Sequence, residues 1–188
     1  MFLVSCATEP EADVTAYVLA YHWGFAVFDA DGRELDRLEV PVGSTVRVVA
    51  VNDHAGAAIA RLPREVASTI RLTDWNERAH IDVAEGRIRD PAEFGMSLQR
   101  ELDLSHAHDT SSGPAHVHWT EFPGAAPGFT DHGLEIVGYG VRIDRLDAYA
   151  ERPKSVFFTA DRAGRFVFEC VVKCGFGHSH PRELFVVR

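Results

Sequence analysis

The chain has 188 residues, 46% of them hydrophobic and 25% charged, the balance of a globular protein with a real core and not of a disordered chain. A formal net charge of −9 argues against nucleic acid as a partner, because phosphate recognition needs Lys and Arg in clusters that do not occur along this sequence. No run approaches the roughly 20 apolar residues that cross a bilayer as a helix.

Residues 1–13 read as a flexible N-terminal segment. Within it, Leu3-Val-Ser-Cys6 resembles the end of a bacterial lipoprotein signal, in which the cysteine carries the lipid, although the charged start and apolar run of such a signal are missing. Lipidation there would attach the domain to a membrane. The rest, 14–188, reads as a single domain. Tyr17 to Phe28 is rich in aromatic and branched residues and is followed by the turn signal Asp29-Ala-Asp31-Gly32, so a hairpin is expected. Leu35 to Val51 alternates and is interrupted by Pro41 and Gly43, which predicts two short strands and a turn.

Between about 53 and 130 the texture changes, and this stretch reads as a large, partly helical insertion. Ala57 to Ile70 and Asp90 to Leu102 are the helical candidates, while Ser111 to Pro114 and Phe122 to Gly128 are loops. Strand texture then returns in Leu134–Ile143, Ser155–Thr159, Arg165–Cys170 and Leu184–Val187, with Phe166 and Phe168 on one face. Short strands separated by turns at both chain ends predict an all-β fold, a Greek-key β-sandwich.

The chemistry is concentrated in Cys170-Val-Val-Lys-Cys174-Gly-Phe-Gly-His178, which follows one strand and precedes another. Two thiols four residues apart are poorly placed for a disulfide across a fold and better placed for a metal. Thiolate and imidazole suit copper or zinc, and the pattern is open to tetrahedral zinc or to a copper pair bridged by both sulfurs.

His132-Gly133, Phe158-Thr-Ala-Asp161-Arg-Ala-Gly164 and the Cys170–His178 segment together resemble the binuclear copper (CuA) domain of cytochrome c oxidase subunit II and nitrous oxide reductase. Trp23-Gly-Phe25 and Val40-Pro-Val-Gly43 are similar to that family's first strands, and the insertion has no counterpart in it. The resemblance implies a cupredoxin-like sandwich in which His132 and His178 supply imidazoles, Cys170 and Cys174 bridge a copper pair, and the carbonyl of Val172 makes a weak contact. Where the family has an axial methionine this chain has Pro181, with His180 next to it as a possible extra ligand. Mononuclear copper or zinc is the lesser expectation.

A second candidate metal site lies in the insertion. His106-Ala-His108 and His116-Val-His118 each put two imidazoles on one face of an extended strand. The competing reading is a solvent-facing loop whose histidines only titrate. His22, His54 and His80 stand alone and read as surface or satisfied core residues.

The function expected from this pattern is electron transfer, of the cytochrome c oxidase subunit II type, outside the cytoplasmic membrane, with a cytochrome or an oxidase as redox partner. An electron carrier or oxidoreductase accessory protein is favoured over a stand-alone enzyme, and with no nucleophile beside a paired base and no phosphate-binding glycine loop, hydrolase or nucleotide-dependent chemistry has no support. The alternatives are a copper carrier or chaperone, and a copper enzyme that uses the insertion's histidines.

Overall fold

The computed structural model describes residues 10–21, 24–75, 78, 131–171 and 182–188. Among these residues the elements follow in the order β1 (Val14–Tyr21), β2 (Gly24–Phe28), β3 (Glu34–Leu35), β4 (Leu38–Val40), β5 (Thr45–Asn52), α1 (Gly56–Ile59), α2 (Arg64–Leu72), β6 (His132–Ile136), β7 (Val141–Leu146), β8 (Lys154–Thr159), β9 (Gly164–Glu169) and β10 (Arg182–Val187).

The strands form the expected sandwich of two five-stranded sheets, ordered β3-β2-β1-β5-β8 and β4-β10-β9-β6-β7. Neighbours such as β5 and β8 or β6 and β9 are not consecutive, so the chain crosses between sheets as a Greek-key sandwich does. The pairs β1–β5 and β4–β10 are parallel.

Side-chain alternation sorts the first sheet into two cores. Ala16, Val18 and Ala20 of β1 and Val46, Val48 and Ala50 of β5 point into the sandwich, where they meet Leu134, Ile136, Phe168 and Phe185 of the second sheet. The intervening Leu19, Tyr21, Val49 and Val51 point outward, yet they are buried too, under Ala58 and Ile59 of α1 and Val66, Ala67 and Ile70 of α2. Burial on both faces is why these strands read as almost unbroken apolar runs. By contrast β7 alternates buried Val141 and Ile143 with exposed Arg142 and Asp144, as a strand with one wet face does.

Two elements differ from the sequence reading. Leu134–Ile143 is not one strand: the chain turns over Val137 to Gly140 into the β6–β7 hairpin, with Gly138 (φ 91°) and Gly140 (φ 66°) in the left-handed region that glycine tolerates. Ala57–Ile70 is not one helix either, because Pro63 (φ −49°, ψ 143°) is extended and separates α1 from α2. The helix expected at Asp90–Leu102 lies outside the described residues. No helix among the described residues is long and apolar enough to cross a membrane.

The turn after β2 locks α2 in place. Gly32 (φ 75°) sits against α2 so closely that a Cβ there would lie 2.5 Å from the carbonyl carbon of Glu65, and Thr69 Oγ1 donates to Gly32 O at 2.8 Å. Trp75 closes the same layer, its Nε1 donating to Ile70 O at 2.9 Å and its ring 5.1 Å from that of Tyr21.

Candidate metal centre

Phe166, Phe168 and Cys170 occupy alternate positions along β9 and its end, so the residue that follows two inward-facing phenylalanines brings a thiol to the edge of the same core. Strand β6 runs antiparallel beside β9, with Glu135 opposite Glu169 and Ile136 opposite Phe168. The start of β6 therefore meets the end of β9. His132 (3% exposed) and Cys170 (7% exposed) arrive side by side, and Gly133 N donates to Cys170 Sγ at 3.4 Å.

Buried polar residues hold this end of the sandwich. Asn52 Nδ2 donates to Leu146 O at 3.0 Å and Asn52 Oδ1 accepts from His54 N at 2.8 Å, tying the end of β5 to the end of β7. Asp131 Oδ1 accepts from Ala148 N at 3.1 Å, and its other oxygen pairs with Arg145, which fixes the entry into β6. Asp53 N donates to Ala20 O, and Asp53 Oδ1 then lies 3.8 Å from His132 Nε2 and 3.8 Å from Nε2 of the half-exposed His54.

His132 Nε2 is buried and makes no hydrogen bond among the described residues. Burial works against a charged imidazole here, but the Asp53 carboxylate and the Cys170 sulfur outweigh it and raise the His132 pKa to about 9. A buried site that favours positive charge this strongly is also one that favours a metal cation. The donor set present fits a soft or borderline metal such as copper.

Of the residues expected to bind metal, His132 and Cys170 are brought together. Val172, Cys174, His178 and His180 lie outside the described residues, as do His106, His108, His116 and His118. The chain leaves β9 at Cys170 and returns as β10 at Arg182, opposite Phe168, so both ends of the intervening segment are anchored beside the thiol. Among the described residues no three His, Cys, Asp or Glu side chains gather as a metal site. Sequence reasoning missed Asp53 and Asn52. Their signal was an Asn-Asp pair closing a valine-rich strand, but it pointed to no partner, since His132 is far along the chain.

No family model matches the chain, and no curated protein matches it. Among solved structures it is similar to the periplasmic domain of subunit II of cytochrome oxidase (CoxB) of Bradyrhizobium japonicum, with 13% identity and a TM-score of 0.43 over 96% of this chain and 88% of that one. It is also similar to subunit II of cytochrome c oxidase in a mixed disulfide intermediate with a thioredoxin-like protein, with 15% identity and a TM-score of 0.42 over 96% of this chain and 86% of that one.

Proposed function

We propose that this chain is a copper-binding electron-transfer domain of the cytochrome c oxidase subunit II type, working on the periplasmic side of the membrane with a cytochrome or an oxidase as its redox partner. The observation that supports it is the buried meeting of His132 and Cys170 at the mouth of the segment that carries Cys174 and His178. Copper held there would supply reversible one-electron chemistry.

The residues to hold it are His132, Cys170, Cys174 and His178, with the carbonyl of Val172 as a weak contact and His180 outside the ligand set. Asp53 stands on the Nε2 side of His132, which leaves Nδ1 as the nitrogen offered to a metal. The Gly133 N–H stabilises the Cys170 thiolate, and the surrounding core excludes water from both donors. Because β6 and β9 are paired strands inside a packed sandwich, the donors they carry move little when charge changes.

Copper content together with electron paramagnetic resonance of the purified protein tests this reading. Two coppers per chain, intense visible bands and a many-line resonance are expected. His180→Ala should keep all three with a modest shift in the bands, whereas Cys174→Ser should leave at most one copper. A single metal at the cysteine segment of the wild-type protein would replace the binuclear site with a mononuclear one, and a colourless Cu(I) form would favour a carrier.

A further inference from the structure

The connection from β7 to β8 is tied down at several points, yet it carries a large aromatic side chain out into water. Asn52 Nδ2 donates to Leu146 O at 3.0 Å, Ala148 N to Asp131 Oδ1 at 3.1 Å, and Ala150 N to Asp147 O at 3.1 Å. Tyr149 N donates to Asp147 Oδ1 at 2.7 Å and Arg61 Nε to Glu151 O at 2.8 Å, so the backbone is held on both sides of Tyr149. Ala148 is buried, and Ala150 packs against the core beneath the helices. Between these two small inward residues Tyr149 is 86% exposed. A tyrosine ring on a fixed backbone loses little freedom when a partner covers it, which is why such rings anchor protein interfaces.

Tyr149 also stands at the metal end of the molecule. Asp131, which holds Ala148, directly precedes His132 in the chain, and Asn52, which holds Leu146, directly precedes Asp53. The wet face of β7 that leads to Tyr149 carries more acid than base. Arg142 pairs with both Glu135 and Asp144, and Arg145 with both Asp131 and Asp147, so two guanidiniums face four carboxylates. Glu151 and Arg152, on the other side of Tyr149, offset one another in charge. A negative flank beside an exposed ring complements a positively charged protein surface.

We infer that Tyr149 and the acidic flank of β7 form the face on which a basic electron-transfer protein docks, with the tyrosine ring as its anchor. The class of partner rests on the electron-transfer reading above, whereas the docking uses the protein surface alone and needs no copper. Calorimetric titration of the full chain, with and without copper, against a strongly basic c-type cytochrome tests it, with an acidic c-type cytochrome as the control. The basic protein should bind saturably and more weakly as salt is raised, and the acidic one should not bind. Tyr149→Ala should weaken binding about fivefold or more without lowering the melting temperature, and Tyr149→Phe should keep most of the affinity. Val42→Ala, at an exposed site in the turn that leads into the opposite end of β5, should leave binding unchanged. The inference is overturned if the basic cytochrome does not bind, if the acidic one binds as well, or if Val42→Ala weakens binding as much as Tyr149→Ala. It is equally overturned if Tyr149→Ala binds like wild type, or if it melts lower, since the ring would then pack on its own chain. Failure of the copper reading would show separately, as absent copper and resonance in a chain whose binding still depends on Tyr149.

Discussion

Asp53 is held by its own backbone at the end of β5, and from there its carboxylate faces two imidazoles, one buried and one half-exposed. Its effect on His132 is measurable without any metal. The folded pKa of His132, about 9, lies above the ordinary 6.5, so the protonated imidazole stabilises the fold. That stabilisation is fully present below about pH 6.5 and is lost as pH rises through 9. A shift of this size corresponds to stability on the order of a few kcal/mol. Melting of the metal-free protein should therefore fall between those pH values. Asp53→Asn should flatten the decline, because Cys170 remains but the carboxylate, the largest influence raising the His132 pKa, is gone; a variant with the wild-type slope would remove Asp53 from this role. A metal must displace the same proton, so its uptake should tighten over the same rise in pH.

Among the elements, the dependence of α2 on one glycine is the sharpest. Gly32 combines a left-handed backbone with a close approach to the Glu65 carbonyl, and a methyl group there meets backbone, which cannot rotate away. Gly32→Ala should destabilise the protein by about 2 kcal/mol or more, read as a lower melting temperature. Because the helices cover only the outer face of the first sheet, the loss should be accompanied by greater exposure of Trp75, seen as a red-shifted fluorescence maximum. Gly43→Ala, at another positive φ but with open space around it, should cost less. An equal cost at both positions would mean that backbone conformation alone, and not the contact with α2, sets the requirement.

At the scale of the whole molecule, charge and topology act together. The crossing strands deliver His132 and Cys170 to one end of the sandwich, while the net charge of −9 gives the protein a negative far field. Such a field draws in a basic protein partner. Electron transfer with a basic cytochrome, followed by stopped-flow mixing, should slow several-fold as ionic strength rises from about 10 mM to 0.5 M, over which the screening length falls from about 30 Å to below 8 Å. A rate insensitive to salt would show that encounter with this partner is not steered by charge.

The sequence by itself determined the sandwich, because strand alternation is a local property of the chain, and the spacing of its thiols and imidazoles singled out Cys170–His178 as the candidate metal segment. The β1–β2 hairpin, the turn at Asp29–Gly32 and the strands β4, β5, β9 and β10 were legible in this way. The tertiary structure decided what depends on distant parts meeting. Alternation could not say that the first sheet is buried on both faces, since that follows from helices folding back over it. Nor could spacing along the chain reveal Asp53 beside His132 or Gly133 bonded to Cys170. Each of these pairs residues that are remote in sequence, and only the strand pairing that crosses between sheets sets their distance and burial, and with them their charge.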